Sequence, residues 1–408
     1  MDCRHCNTPL IHTFIDLGFA PPSNAYLTEE DLGKPELYYP LNIKVCQECW
    51  LVQTEDYAEA ESLFDSSYAY FSSTSRGWLK HAEDYCDLME TRFNLNTDSL
   101  VIELASNDGY LLKNFVAREI PCIGIEPTKS TADAAEKLGI TVIREFFGEA
   151  LGLSLAKQGK KADLIVGNNV YAHVPDINGF TKGLKAILKV DGVITLEFPH
   201  LMELIKEHQF DTIYHEHFSY LSLFTVKRIF ESVGLRIFDV EKLQTHGGSL
   251  RVYGCHSNAS KIDCPSVEKI LVEEANQQLQ NLKTYENFQI IADKIKNDVL
   301  QFLIDKKRER KSVVAYGAAA KANTLLNFAG VKPDLLPVIF DAAVSKQNKY
   351  MPGSHIPIVS PDRLKGSDVD YLIILPWNIK EEIERQLRPI LGKEVSIVTM
   401  IPSLNIIK

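Results

Sequence analysis

A strand, a tight turn and the start of a helix are predicted in direct succession between residues 101 and 112. The strand is the apolar run Val101–Leu104, the turn is Ala-Ser-Asn-Asp-Gly at 105–109, and Tyr110, Leu111 and Phe115 follow at helical spacing. Small turn residues let the backbone approach a ligand closely, and the N–H groups at the start of a helix favour anions. This stretch therefore predicts the first half of a nucleotide-binding βαβ unit.

A second short strand that ends in an acid, Glu126, is predicted from the sequence Cys-Ile-Gly-Ile-Glu-Pro at 122–127. An acid at this point usually holds a ribose diol. Dinucleotide enzymes prefer G-x-G-x-x-G at the turn, whereas the single glycine here suits an amino-acid tail better than two phosphates. We therefore predict S-adenosylmethionine (SAM) as the ligand; a doubly wound domain without a ligand is the alternative. The predicted contacts are Glu103, Ala105, Ser106, Asn107, Asp108, Gly109, Glu126, Pro127, Asn168 and Asn169.

The bulk composition is that of an ordinary globular protein, with 45% hydrophobic and 24% charged residues. The 408 residues suffice for two or three domains. A net charge of −10 without a long basic run argues against a nucleic-acid partner. Neither a membrane span nor a signal segment is predicted, so we expect a cytoplasmic protein whose cysteines are thiols or metal ligands.

Two C-x-x-C pairs, Cys3 with Cys6 and Cys46 with Cys49, predict one structural zinc site. Each pair forms a tight knuckle, and four thiolates complete a tetrahedron around the metal. A catalytic zinc would need an open position, which four cysteines do not leave. The alternative is that these are unrelated reduced cysteines.

Strands and helices alternate from residue 99 to about 254, which predicts a parallel sheet with right-handed crossovers. After the fourth strand comes the polar loop 167–175, which contains Asn168, Asn169 and His173. Such loops line the ligand crevice of α/β domains, although a lone histidine there is often structural. The predicted strands are 101–104, 122–125, 141–143, 164–166, 193–197 and 251–253, with helices at 130–138 and 179–188 between them.

The segment Tyr214-His215-Glu216-His217 places four titratable side chains between apolar neighbours, which is costly to bury without a purpose. It lacks the H-E-x-x-H spacing of a metalloprotease helix. On an extended segment alternate residues face the same way, so Tyr214 with Glu216, or His215 with His217, would converge. A histidine steered by a carboxylate removes protons from carbon beside a carbonyl. A solvated polar loop is the alternative.

A second α/β unit is predicted from residue 312, after two linking helices within 265–311. Its first strand, 313–316, leads into the turn 317–321, whose backbone amides could hold phosphate with the charge of Lys321. A turn that only serves packing is an equal alternative. Further strands are predicted at 336–340 and 371–375.

Taken together, these motifs resemble the three-domain SAM-dependent C-methyltransferases that act on nucleotide-linked 4-keto deoxysugars. The resemblance covers nearly the whole chain. It rests on the two C-x-x-C pairs, YAYFSSTS at 68–75, ELASNDG at 103–109, NNVYAHVPD at 168–176, YHEHFSY at 214–220, HGGSLRVY at 246–253, YGAAAKANTLLN at 316–327 and KYMPGSHIPI at 349–358.

The resemblance implies a zinc-binding domain at 1–62, a Rossmann-like methyltransferase domain at 63–262, and a C-terminal α/β domain at 263–408 that binds the sugar nucleotide. It implies that His217 removes the proton next to the ketone and that the enolate then takes the methyl group, giving a branched sugar. Tyr214, Glu216, His173 and a tyrosine, Tyr68 or Tyr70, would complete the pocket. Substrate contacts would come from His246, Arg251, Tyr316, Gly317, Lys321, Asn323 and His355.

Three other functions are compatible with parts of the pattern. An O- or N-methyltransferase would need no machinery for an enolate, and a catalytically silent SAM- or sugar-nucleotide-binding protein would need no base. A dehydrogenase is disfavoured by the single-glycine turn. We expect a monomer or a small homo-oligomer.

Overall fold

Three β-sheets are formed by the residues that the computed structural model describes, which are 1–55, 72–74, 76–391 and 394–407. One sheet belongs to the N-terminal lobe, one to the central domain and one to the C-terminal domain. The predicted fold class, an N-terminal cysteine lobe followed by two Rossmann-like α/β units, is confirmed. No helix in the described ranges is both long and apolar enough to cross a bilayer.

The N-terminal lobe is built from three antiparallel strands, β1 (His12–Ala20), β2 (Tyr39–Val45) and β3 (Val52–Thr54). A later strand, β9 (Ser219–Tyr220), pairs with β3 and completes the sheet in the order β1-β2-β3-β9. Because β9 directly follows the polar segment 214–217, this sheet ties that segment to the lobe.

The central domain begins with helix α1 (Arg76–Phe93) and has a sheet in the order β10-β11-β8-β7-β4-β5-β6. Its innermost strands are buried along their whole length, as expected for parallel strands covered on both faces. The elements are β4 (Val101–Leu104), α2 (Leu112–Val116), β5 (Cys122–Ile125), α3 (Lys129–Glu136), β6 (Thr141–Ile143), α4 (Glu149–Lys157), β7 (Ala162–Asn168), α5 (Ile177–Ile187), β8 (Leu188–Pro199), α6 (Leu201–Lys206), α7 (Leu223–Ser232), β10 (Leu235–Leu243) and β11 (Ser249–His256).

The prediction of a wholly parallel central sheet is wrong at one edge. Strand β11 runs antiparallel to β8, and β10, which was not predicted, runs antiparallel to β11. Arg236, Asp239 and Glu241 interrupt the apolar pattern of β10, so its sequence does not have the uniform run of a buried strand. The other predicted strands lie where expected, and β7, β8 and β11 are longer than predicted.

Three helices, rather than the predicted two, link the central and C-terminal domains: α8 (Pro265–Asn276), α9 (Leu282–Glu286) and α10 (Phe288–Arg308). Helix α9 is separate because the side chain of Asn281 accepts the N–H of Lys283 and so caps a new start. The break itself, Gln-Gln-Leu-Gln-Asn at 277–281, contains neither glycine nor proline, which is why the sequence pattern does not predict it.

The C-terminal sheet has the order β14-β13-β12-β15-β16-β17 and is parallel except for its last strand. The tight turn after β12 leads directly into helix α11. The elements are β12 (Val313–Tyr316), α11 (Ala320–Ala329), β13 (Ile339–Phe340), β14 (Ile358–Val359), β15 (Tyr371–Ile374), α12 (Lys380–Leu387), β16 (Ser396–Thr399) and β17 (Asn405–Ile407).

A single hydrophobic core joins the N-terminal lobe to the C-terminal domain. Phe14 and Ile43 of the lobe belong to the same buried cluster as Phe288 of α10 and Leu325 of α11. Phe14 stacks on Phe288 with ring centroids 4.7 Å apart. The lobe is therefore fixed against the C-terminal domain, and the same cluster includes Leu204 and Phe210 of the central domain.

Candidate functional site

A cavity of about 470 Å³ lies at the carboxyl ends of β4, β5 and β7, where ligands of α/β sheets bind. Its size is that of a small-molecule site. All three parts of the chain line it: Asn24 comes from the N-terminal lobe, most of the wall from the central domain, and Lys321 and Lys346 from the C-terminal domain.

The turn after β4 is held in place by Glu126 at the end of β5. The two Glu126 carboxylate oxygens accept the backbone N–H groups of Asn107 and Thr128, both at 2.9 Å. Ala105 and Asn107 have left-handed backbones, with φ of +52° and +49°, which turns the chain sharply at the cavity. Glu126 lines the cavity and keeps oxygen lone pairs that can accept a ribose hydroxyl.

The ten predicted SAM contacts divide into two groups. Ala105, Asn107, Glu126, Pro127, Asn168 and Asn169 line the cavity. Glu103 of β4 and Ser106, Asp108 and Gly109 of the turn do not line it. A Cβ on Gly109 would lie 2.4 Å from Ile140 Cδ1, so this glycine allows close packing. Burial, together with the nearby Asp108 and Glu126, raises the pKa of Glu103 well above its usual value.

The segment 214–217 forms a turn and not the expected extended strand. The N–H of His217 donates to the carbonyl of Tyr214 at 2.9 Å, and the two rings lie with centroids 4.0 Å apart. His215 therefore faces away, with Nε2 at 3.3 and 3.2 Å from the carbonyl oxygens of Tyr39 and Pro40 in the lobe. Tyr214, Glu216 and His217 line the cavity, whereas His215 does not.

Backbone carbonyls fix the tautomers of two histidines in the cavity. His217 Nδ1 lies 2.9 Å from the carbonyl oxygen of Thr212, and His173 Nδ1 lies 2.6 Å from that of Glu216. A carbonyl can only accept, so Nδ1 carries the proton and Nε2 the lone pair. Burial lowers the pKa of His173 to about 4, and burial with neighbouring His173 lowers that of His217 well below 6.5. Both imidazoles are neutral at pH 7, and their ring centroids are 4.6 Å apart.

Glu216 is a buried carboxyl with one oxygen held by the N-terminal lobe. The Asn24 amide donates to Oε1 at 3.1 Å, and Oε2 has no partner among the described residues. Burial raises the pKa of this carboxyl. The unsatisfied oxygen of a buried group at a cavity wall is a natural acceptor for a ligand hydroxyl or amine.

Two residues with strained backbones, Asn169 and His246, meet at another wall of the cavity. Their φ angles are +53° and +54°, and Asn169 Nδ2 donates to His246 Nε2 at 3.0 Å. Trp78, a lining residue that the sequence did not reveal, packs edge-on against His246. Burial lowers the pKa of His246 to about 4, so this ring is also neutral. Such strained conformations concentrate at functional sites.

Two lysines of the C-terminal domain flank the start of helix α11. Lys321 is half-buried and donates to Asn378 Oδ1 at 2.7 Å, and desolvation of its ammonium group lowers its pKa. Lys346, also missed by the sequence reading, donates to the carbonyl of Ala318 at 2.8 Å. Two cations beside a helix N-terminus favour an anionic group such as a diphosphate.

Several predicted substrate contacts lie away from the cavity: Arg251, Tyr316, Gly317, Asn323 and His355. Arg251 pairs with Glu197 and Glu241 inside the central domain, and His355 pairs with Glu36 of the lobe. His246 and Lys321 do line the cavity. Tyr68 and Tyr70 lie outside the described residues, so their roles stay predictions.

The four predicted zinc ligands come together in the N-terminal lobe, with their sulfur atoms all within 4.8 Å of one another. Cys3 Sγ lies 3.4 Å from Cys49 Sγ, and Cys6 Sγ lies 3.5 Å from Cys46 Sγ. Zn–S bonds of about 2.3 Å in a tetrahedron need sulfur atoms separated by somewhat less than 4 Å. The donor set and its spacing therefore fit one tetrahedral zinc with no open position.

A Rossmann-like sheet, a SAM-type turn with its acid and a four-cysteine lobe define a methyltransferase with an accessory zinc-binding domain. Three family models match the chain at the corresponding places. They are described as "Putative zinc binding domain" at 3–64, "Methyltransferase domain" at 78–240 and "C-methyltransferase C-terminal domain" at 244–402. The predicted cofactors, SAM and zinc, are thereby confirmed at the level of the domains that bind them.

The chain is 33% identical over 406 residues to C-methyltransferase NovU of Streptomyces niveus, an alignment that covers all of this chain and 96% of that protein. The chain therefore belongs to the C-methyltransferase family, as its motifs indicated.

Among solved structures, the chain is similar to magnesium protoporphyrin IX methyltransferase of Synechocystis PCC 6803 with bound SAM. The identity is 15%, the match covers 44% of this chain and 80% of that chain, and the TM-score is 0.34. It is also similar to the YcgJ protein of Bacillus subtilis, with 12% identity, coverage of 44% of this chain and 100% of that chain, and a TM-score of 0.35. At these TM-scores neither structure bears on the function.

Replacing Glu126 with alanine is expected to weaken SAM binding. The change removes the predicted ribose acceptor and frees the N–H of Asn107, so we expect a loss of about 1.5–3 kcal/mol, roughly one to two decades in Kd. Titration of SAM by calorimetry is the measurement. Glu126→Gln keeps one carbonyl acceptor and should lose less.

The control is Glu136→Ala, which removes an exposed acid of α3 that pairs with Arg144. It should bind SAM as the wild type does. Equal affinity in Glu126→Ala and the wild type would place the ribose elsewhere.

Proposed function

We propose that the protein transfers a methyl group from SAM to the carbon next to the ketone of a nucleotide-diphosphate 4-keto deoxysugar. The observation that carries this proposal is the cluster of His217, Tyr214, His173 and Glu216 in the same cavity as the turn at Asn107. We also propose domain boundaries at 1–62, 63–262 and 263–408. The family models at 3–64 and 78–240 support the first two domains. The third model begins at 244, but β11 (Ser249–His256) pairs within the central sheet, which supports a later start for the C-terminal domain.

His217 is proposed as the base. Its Nδ1–H donates to Thr212, so Nε2 presents a lone pair, and burial keeps the ring neutral at physiological pH. A ketone acidifies the proton on the adjacent carbon, and a positioned neutral imidazole can remove it. The proton moves to Nε2, and the electron pair of the C–H bond passes into the enolate.

The enolate needs stabilisation and a position next to the methyl donor. Tyr214, whose ring packs at a tilt against His217, would donate to the ketone oxygen, and Glu216 Oε2 would accept a ring hydroxyl. Bound SAM supplies an electrophilic methyl group. Asn107 and Glu126 would hold it at the carboxyl ends of β4 and β5, and the buried walls around His173 keep water from the reactive carbon.

The nucleotide diphosphate would lie against the start of α11. Lys321 and Lys346 both line the cavity there. Their charges and the helix N-terminus would neutralise the two phosphates, which leaves the sugar directed towards His217.

The test is to mix the protein with carbon-13-labelled SAM and a panel of 4-keto deoxysugar nucleotides and to locate the label by NMR. The proposal expects a new methyl group bonded to the carbon next to the ketone. A label on oxygen or nitrogen would favour the O- or N-methyltransferase alternative, and absence of transfer with SAM binding intact would favour a silent binding protein.

Lys321→Met is expected to weaken nucleotide binding about ten- to a hundredfold, because it removes a charge-assisted contact to the diphosphate. A point variant is used instead of a chain that lacks the C-terminal domain, because that domain shares one hydrophobic core with the N-terminal lobe. Calorimetry with dTDP, UDP, GDP and ADP measures the effect, while SAM affinity should not change. Lys365→Met, at an exposed site of the same domain, is the control. Undiminished nucleotide affinity in Lys321→Met would contradict this assignment.

A further inference from the structure

One residue of the N-terminal lobe reaches the candidate active site. Asn24 lines the cavity and donates its side-chain amide to Glu216 Oε1 at 3.1 Å, across 192 residues of sequence. It lies outside the cysteine knuckles, so binding zinc does not explain why the side chain extends there.

The segment that carries Asn24 is firmly held. The N–H of Ala25 donates to the carbonyl of Pro22 at 3.1 Å, and Ser23 is 2% exposed. Two residues after Asn24, the Tyr26 hydroxyl donates to the carbonyl of Ala318 at 2.6 Å. The segment 22–26 thus bridges the catalytic turn and the turn that precedes α11.

Glu216 needs such a contact. Its carboxyl is fully enclosed, and of its two oxygens only Oε1 has a partner among the described residues. A carboxylate can rotate about its terminal bond, because that torsion has a broad, twofold energy profile. A donor fixed on one oxygen selects one orientation and leaves the other oxygen for the ligand.

We propose that Asn24 is a positioning residue of the active site: its amide holds one oxygen of Glu216, so that the other oxygen faces the substrate. This inference rests on the proposed function for the identity of that substrate, but the contact itself does not depend on it. The lobe that carries the zinc site then takes a direct part in shaping the catalytic pocket.

The contact also has an electrostatic consequence that can be measured. Burial raises the pKa of Glu216, and the Asn24 hydrogen bond opposes this effect because it favours the charged carboxylate. Removal of the amide should therefore raise the pKa further. Titratable groups close to Glu216 include Tyr220 of the central domain, Tyr26 of the lobe, and His173, whose Nδ1 donates to the Glu216 backbone carbonyl. Tyr214, His217 and Lys346 line the same cavity.

The experiment uses the full chain with zinc bound and compares Asn24→Ala with Thr13→Ala. Thr13 lies on the same lobe, its exposed hydroxyl accepts from Lys44, and it belongs to neither the cysteine cluster nor the cavity lining. Infrared spectra recorded across a pH titration show the protonated carboxyl band, and the contribution of Glu216 is the part that Glu216→Gln removes. We expect the midpoint of this band to rise by about one pH unit in Asn24→Ala. Thr13→Ala should leave it where it is in the wild type.

Turnover gives the second measurement. Asn24→Ala should lower kcat about tenfold, with unchanged zinc content and unchanged affinity for S-adenosylhomocysteine. An unchanged infrared midpoint would overturn the proposal, and so would an unchanged kcat. Loss of zinc or a lower melting temperature with an unshifted midpoint would also overturn it, since that result describes a purely structural residue. The infrared measurement needs no substrate, so a shifted midpoint without any sugar methylation would reject the proposed function and leave the Asn24 contact standing.

Discussion

His217→Asn is expected to lower turnover by about 10²–10⁴, the usual contribution of a positioned general base. Asparagine can keep the donor to the Thr212 carbonyl while it lacks the basic Nε2, so the turn 214–217 should keep its shape. Affinities for SAM and for the nucleotide sugar should stay close to wild type. Steady-state kinetics and calorimetry on the same samples provide both values.

The pH profile offers an independent check on this assignment. The proposed deprotonation needs neutral His217, and burial lowers its pKa well below 6.5, so the neutral form persists to lower pH than for a free imidazole. The fall in kcat/KM towards acid should therefore begin below pH 6.5. Tyr214→Phe is the matched variant: it keeps the ring packed against His217 and should slow the reaction less. Full turnover in His217→Asn would require another base, with His173 the next candidate.

Cys46→Ser is expected to abolish zinc binding and to destabilise the N-terminal lobe. Zinc contributes on the order of 10 kcal/mol to the folding of small metal domains, so one missing ligand in a closed site has a large effect. Elemental analysis should find about one zinc per chain in the wild type and about none in the variant. Cys264→Ser, which changes a cysteine outside the cluster, is the control.

Loss of zinc should also reduce turnover, because a knuckle of the site contacts the catalytic loops. Arg4, next to Cys3, donates to the carbonyl of Pro175, two residues after His173. His5 Nδ1 lies 2.8 Å from Asn178 Oδ1 at the start of α5. Purified, fully active protein without metal would refute a structural zinc at this position.

The sequence predicted the parts of the fold that depend on local patterns. Strands 101–104, 122–125 and 141–143 were placed correctly because each is a short apolar run between turn signals. Strand β10 was missed because charged residues interrupt it, and β9 because two residues are too few for a pattern. Pairing partners depend on tertiary packing, which a single sequence does not reveal.

The same limit applies to the candidate site. Glu126 directly follows the predicted strand 122–125, and His217 lies in the polar segment 214–217. Their positions at the site could therefore be inferred from the sequence. Asn24 and Lys346 stand in unremarkable sequence, and they reach the cavity only because the N-terminal lobe and the C-terminal domain pack against the central domain. Two pairings were predicted for an extended segment, Tyr214 with Glu216 or His215 with His217. The segment is a turn, so Tyr214, Glu216 and His217 all line the cavity and His215 faces away from it.

Exchange of the substrate proton with deuterium oxide is the most direct test of deprotonation at carbon by His217. The protein is incubated with the 4-keto sugar nucleotide and S-adenosylhomocysteine, which cannot supply a methyl group, so only the first chemical step can occur. We predict that the wild type exchanges the proton next to the ketone and that His217→Asn, with both ligands bound, exchanges it at least about a hundredfold more slowly. Exchange at the wild-type rate in His217→Asn would contradict this account.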